Sequence, residues 1–161
     1  MERSKTATKW LNATEMRAWR GYVETIDEVN IRLESALVPH HLTLGDYQVL
    51  VFLSEQDDHR MRMCDLATML HLSPSGLTRR LDGLVKTGFI AREPNPRDRR
   101  EMLAVLTSPG FNKLKSAAPD HVDSVRSFML EHLTAKQIEQ LGDIFESLKK
   151  GLDLPDTTTT K

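Results

Sequence analysis

The sequence contains a single cysteine, Cys64, so no internal disulfide can form and the fold must rest on burial of apolar side chains. No apolar run approaches the ~20 residues of a membrane helix. The basic start, MERSKTATKW, is not followed by the apolar stretch of an export signal, so a cytoplasmic protein is expected. A nucleophile elbow, a phosphate-binding glycine loop, paired catalytic carboxylates and a zinc-protease pattern are all missing, and nothing positive supports an enzyme. Of six histidines only His40 and His41 lie together, with no cysteine or carboxylate cluster at ligand spacing around them. Adjacent residues chelate poorly, so neither metal nor cofactor is expected. What is there, 161 residues with 39% hydrophobic and 28% charged, is the make-up of one ordinary globular domain spanning residues 1–161.

Periodicity predicts a mainly helical chain with one small β-hairpin. Met16, Trp19, Val23, Ile26, Asn30, Leu33 and Leu37 recur at three- and four-residue steps and keep one face largely apolar, predicting a long helix over 12–38. Asn12 and Glu15 form a capping box at its start and Pro39 stops it. Tyr22 and Val29 widen its apolar face beyond one contact line, which suits a partner helix. Thr43 is a natural N-cap for a second helix to about Glu55, with Tyr47, Leu50, Val51 and Leu53 turned inward. The polar run 56–60 breaks it, and "MCDLATMLHL" then makes a short third helix on Leu66, Ala67 and Leu70. Ser108-Pro109 opens a further helix, bent or restarted at Pro119 and running to about Leu133, and Thr134 with Gln137 caps a last one. Ile138, Leu141, Ile144, Phe145 and Leu148 stripe that final helix. The tail 151–161 has nothing to bury and is expected to be disordered.

The most informative segment is "LSPSGLTRRLDGLVKTGFI". Ser73 followed by Pro74 is an N-cap before a residue pre-set for the first helical position, and Gly88 suits the position just past the helix end. Leu77, Leu81, Leu84 and Val85 form the buried side, leaving Ser75, Gly76, Thr78 and Arg79 outward. Gly83 is unexpected there, costing about 1 kcal/mol relative to alanine. Phe89 to Arg92 and Met102 to Thr107 then read as two short strands joined by the arginine-rich "NPRDRRE". The chain's net charge is −1, but residues 73–101 hold seven basic side chains against four acidic ones. A basic zone thus sits in a slightly acidic protein.

Two helices joined by a tight turn, the second opening with small polar residues and carrying exposed arginines, is how a helix-turn-helix is built. Arg79 is the first choice for a bidentate contact to guanine, with Arg80 beside it. Ser75 and Thr78 are short enough for close approach, Gly76 leaves the backbone bare, and Ser73 with the free N–H groups of the helix start suits a phosphate. The stretch from Leu66 to Gly110, with Asp98-Arg99-Arg100 in the tip and Leu106-Thr107 followed by Gly110, resembles the helix-turn-helix and wing of the MarR family of transcription regulators. That resemblance implies a winged helix-turn-helix lobe (43–107), and N- and C-terminal helices (12–38 and 109–150) that pair two copies in a homodimer. It also implies a pseudo-palindromic double-stranded DNA operator, with recognition helices in major grooves about 34 Å apart. In that scheme Arg100 enters the minor groove, Asp98 holds its guanidinium in a bidentate pair, and Arg97 and Arg99 follow the backbone. Repression released by a small aromatic effector follows from the resemblance too, with Trp19, Tyr22 and Tyr47 as candidate pocket residues.

Two other readings compete. A winged-helix adaptor that binds only protein would not need the arginines. A redox switch would use Cys64, but a small, partly buried core residue at the entrance of the third helix is the favoured reading of that thiol.

Overall fold

The computed structural model describes residues 8–154; of the tail 151–161 expected to be disordered, Gly151 is helical and residues 155–161 lie outside the described ones. Six helices and three strands follow one another as α1 (Ala13–Leu37), α2 (Leu44–Ser54), β1 (Arg60–Arg62), α3 (Met63–Met69), α4 (Pro74–Lys86), β2 (Ile90–Pro94), β3 (Met102–Leu106), α5 (Ser108–Phe128) and α6 (Ala135–Gly151). The starts of the long helices are set by local chemistry. Asn12 and Glu15, Thr43 and Asp46, and Thr134 and Gln137 each exchange side-chain and backbone hydrogen bonds in a capping box. Ser73 caps α4 by accepting from the Gly76 N–H at 3.1 Å, and Gly88 follows the helix at φ 75°.

The core lies where α2, α3, α4 and the sheet meet the end of α1 and the middle of α5. Leu37, Val49, Leu50, Leu53, Leu66 and Leu81 are fully buried there. Each such leucine stabilises the fold by about 1.5–3 kcal/mol through removal from water. α1 packs along α5, and α2 packs on both. By contrast α6 buries none of its side chains among the described residues. Ile144, Phe145, Leu148 and Leu152 stand 40–66% exposed along one side of it.

Three expectations change. The sheet has three strands, not two, in the order β1-β3-β2 and antiparallel throughout, with Met61 opposite Ala104 on one side of β3 and Arg92 opposite Ala104 on the other. A three-residue strand has no period of its own, and β1 exists because β3 offers it an edge. The N-cap of α5 is Thr107, whose Oγ1 accepts from the Gly110 N–H, and Ser108 is already helical. α5 also continues through Pro119 and ends at Phe128, before a short 3₁₀ turn at Leu130–His132. Pro119 removes a bond only to the carbonyl of Lys115, and both residues are exposed, so water can take its place.

Candidate nucleic-acid interface

The tight turn after α3 passes through His71 in the left-handed region, at φ 52°, and delivers the chain to Ser73. Ser73 Oγ lies 3.2 Å from Ser75 Oγ as well as accepting from Gly76, so both hydroxyls gather at the start of α4. A side chain at Gly76 would press on Ser73 Oγ at 3.1 Å, so the bare backbone there serves the cap. Thr78 donates its hydroxyl to the Pro74 carbonyl at 3.0 Å and keeps its methyl for the surface. Arg79 is exposed.

Between residues 60 and 100 the chain has eight arginines, and the structure divides them evenly. Arg60 donates to Glu93 at 3.2 Å across the sheet. Arg62 forms a two-point pair with Asp65, at 2.6 and 2.9 Å, and reaches Glu101 at 3.3 Å. The hydrogen bond to Asp65 raises the Arg62 pKa above its ordinary value. Arg92 donates to the Thr78 carbonyl at 2.8 Å and to Asp82 at 2.9 Å, fastening the base of the wing to α4. Arg80 turns inward to α2, donating to Thr43 Oγ1 at 3.1 Å with Asp46 4.0 Å away. It is therefore a scaffold residue beside the α2 cap, a role no spacing within α4 reveals. Gly45 makes that possible, since a Cβ there would lie 2.6 Å from the Arg80 guanidinium carbon.

The other four, Arg79, Arg97, Arg99 and Arg100, are exposed, and among the described residues none has a carboxylate partner. The wing tip that carries three of them is a chain of local turns. Asn95 Oδ1 accepts from the Arg97 N–H at 3.0 Å, and Asp98 Oδ1 accepts from the Arg100 N–H at 3.0 Å. The expected Asp98 to Arg100 guanidinium pair is absent, because the carboxylate folds back on the backbone two residues on. The residue that gathers contacts is Glu101, which periodicity and spacing left unmarked. It accepts from Arg62 and, at 2.8 Å, from Asn95 Nδ2, and its partners lie 39 and 6 residues away.

The three aromatics suggested for an effector pocket do not meet. Trp19 and Tyr22 stack on each other, ring centres 6.0 Å apart, on the exposed side of α1. Tyr47 is buried against His121 with ring centres 4.3 Å apart. Burial pushes the Tyr47 hydroxyl pKa up and the His121 pKa down. Cys64 is exposed rather than part of the core, its Sγ 3.7 Å from Asp65. His40 is engaged with Asp120 at 2.7 Å, and among the described residues no three His, Cys, Asp or Glu side chains gather as metal ligands. No described helix is long and apolar enough to cross a membrane.

Residues 42–102, from α2 through the wing, match the sequence profile of the MarR family. The crystal structure of AbsC, a MarR family transcriptional regulator from Streptomyces coelicolor, superposes with a TM-score of 0.85 at 36% identity, covering 91% of this chain and 99% of that one. Sco3205, a MarR family regulator from the same organism solved in complex with DNA, gives a TM-score of 0.84 at 34% identity, covering 90% and 91%. The transcriptional repressor YetL of Bacillus subtilis is 25% identical over 141 residues, covering 86% of this chain and 84% of YetL. The capped fourth helix, the arginine-tipped wing and the long flanking helices therefore belong together: the chain is a member of the MarR family of transcriptional regulators.

Proposed function

We propose that the chain is a sequence-specific DNA-binding repressor that acts as a homodimer, seating α4 in the major groove and the 95–101 tip in the minor groove. The observation that carries this reading is the division of the arginines. Four are consumed in holding β1, the wing and α2 to their neighbours, while those on the outer side of α4 and at the tip are left without counter-ions. An exposed guanidinium held beside no carboxylate keeps its full charge for a phosphate or a base edge. Arg79 is the base reader, Ser73 and Ser75 place a phosphate at the start of α4, Arg97 and Arg99 track the backbone, and Arg100 enters the groove.

Dimerisation is supported by what the single chain leaves uncovered. Trp19, Tyr22 and Val23 on α1, and Ile144, Phe145 and Leu148 on α6, are 40–55% exposed, and an apolar surface of that extent marks an interaction site. Two copies joined through these helices would present two α4 helices to one face of a duplex, and a bound dimer would exclude polymerase from a promoter.

Fluorescence anisotropy with the DNA upstream of the chain's own gene tests the reading. Arg79→Ala should weaken binding by about 1–3 kcal/mol and relax preference at one base position per half-site, whereas Arg97→Ala should weaken all sequences alike and lower the salt slope by about one per protomer. Affinity that ignores salt, or survives both substitutions, would reject it. Phe145→Glu should convert the dimer to monomer in sedimentation and abolish tight operator binding with it.

A further inference from the structure

We infer that Glu101, through Arg62 and Asn95, is the positioning residue of the wing: it sets the direction in which the tip presents Arg100 to DNA. This rests on the DNA-binding reading above. The tip has no packing of its own to orient it. Residues 96–100 are all exposed, and between the tip and β1 lies a half-open cleft of about 500 Å³ lined by Arg60, Arg62, Asp65, Asn95, Arg97 and Leu103. Across that cleft the tip is tied by polar contacts that converge on one side chain. Glu101 Oε1 accepts from Arg62 Nη1 at 3.3 Å and Oε2 from Asn95 Nδ2 at 2.8 Å. The Asn95 N–H donates to the Glu101 carbonyl and the Glu101 N–H to the Asp98 carbonyl, each at 2.9 Å.

Arg62 is itself fixed, because its two-point pair with Asp65 binds it to α3, the helix packed directly on α4. The links therefore run from α3 through Arg62 to Glu101 and on to the turn that carries Arg100. Arg92, bonded to Thr78 and Asp82, holds the other strand of the wing to α4. Asp98, whose carboxylate is spent on the Arg100 N–H, shapes the turn locally but fixes it to nothing else. The side-chain link from α3 to the tip thereby runs through a single carboxylate.

The sign of one substitution separates positioning from mere proximity. Glu101 is an anion in a segment that approaches a polyanion, so Glu101→Gln removes a like charge. If Glu101 only sits there, the variant binds operator as tightly as wild type or tighter. If Glu101 positions the tip, the loss of the Arg62 ion pair frees the turn and binding weakens, by about tenfold, the size of one lost directed contact. A double-mutant cycle on the full-length protein completes the test. Arg100→Ala should cost about tenfold or more in wild type but less than about threefold in Glu101→Gln, since a misdirected Arg100 has little left to lose. Asn95→Ala, which leaves the charge unchanged, should behave in the same sense. The contacts are part-exposed, so melting temperatures should change little, and circular dichroism provides that control. Tighter or equal binding by Glu101→Gln, or additive losses with Arg100→Ala in both the Glu101→Gln and Asn95→Ala backgrounds, would overturn the inference while leaving DNA binding intact. Failure of wild type to bind upstream DNA would instead strike the functional reading itself.

Discussion

Alanine at Gly110 should destabilise the protein, although alanine is the better helix former. Gly110 is the third residue of α5, where that helix passes against Phe89, just before β2. A Cβ there would collide with the Phe89 carbonyl, its carbon 2.9 Å away, and would also lie 2.9 Å from Leu106 Cδ1, well inside the 3.4 Å of ordinary contact. The carbonyl is held in place, since it accepts from the Thr107 N–H at 3.1 Å and shares, at 3.0 Å, the single proton of Thr107 Oγ1 with the Gly88 carbonyl at 2.7 Å. Thr107 Oγ1 is also the cap of α5. Displacement of the carbonyl by the missing fraction of an ångström or more breaks about one hydrogen bond, at about 1 kcal/mol, because the Thr107 hydroxyl keeps Gly88, and overpacking adds about 1–3 kcal/mol. Against this stands a gain of about 1 kcal/mol in helix propensity. The net cost is about 1–3 kcal/mol, which for a chain of this length lowers the melting temperature by on the order of 5 °C. Gly83, in the middle of α4, has nothing within 4 Å of its would-be Cβ. The same substitution there should raise stability by about 0.5–1 kcal/mol, or a few degrees. Thermal unfolding followed by circular dichroism, at one fixed protein concentration because a dimer melts in a concentration-dependent way, compares the two. A Gly110→Ala variant that melts at or above wild type would refute the close approach, and a Gly83→Ala variant that melts lower would refute the propensity offset.

Arg80→Ala should weaken operator binding far less than Arg79→Ala and lower stability by under about 1 kcal/mol, because its pair with the α2 cap is part-exposed; anisotropy and melting of the two variants side by side would expose an error if Arg80 proved the stronger. Burial lowers the His121 pKa from 6.5, so as pH falls below 6.5 the unfolded chain takes up a proton that the folded one resists. The contribution is therefore intact above pH 6.5 and lost on acidification, and His121→Phe should show a shallower fall in melting temperature between pH 7.5 and 5.5; equal slopes would dismiss this assignment. Exposed Cys64 should react with a thiol reagent in the folded protein without denaturant, and Cys64→Ser should bind operator as wild type does with or without mild peroxide. A peroxide-sensitive wild type beside a resistant Cys64→Ser would revive the redox switch.

The caps and stripes of the helices were legible because their causes are local. Asn12 with Glu15, Thr43, Ser73 before Pro74, and Thr134 with Gln137 satisfy backbone groups three residues away, and each helix begins where those residues place it. The exposed Arg79, Arg97, Arg99 and Arg100 could be named for the same reason, since exposure on a capped helix or a turn needs no distant partner. The apolar stripe of α6 was equally plain in the period of Ile138, Leu141, Phe145 and Leu148, but that none of them is fully buried within one chain was not.

What only the tertiary structure decided are matters of distant partnership. β1 is a strand because β3 lies beside it, and Thr107 rather than Ser108 caps α5 because its hydroxyl sits between Phe89 and Gly110. Arg80 belongs to the scaffold because α2 brings Thr43 and Gly45 to it across 37 and 35 positions. Trp19, Tyr22 and Tyr47 part company because α1 and α2 turn them to different sides. Glu101, one carboxylate in a charged run, holds the wing only because Arg62 is delivered to it from another strand. A sequence carries the short-range hydrogen bonds of each element in its spacing; which charge meets which across the fold is set by how those elements pack.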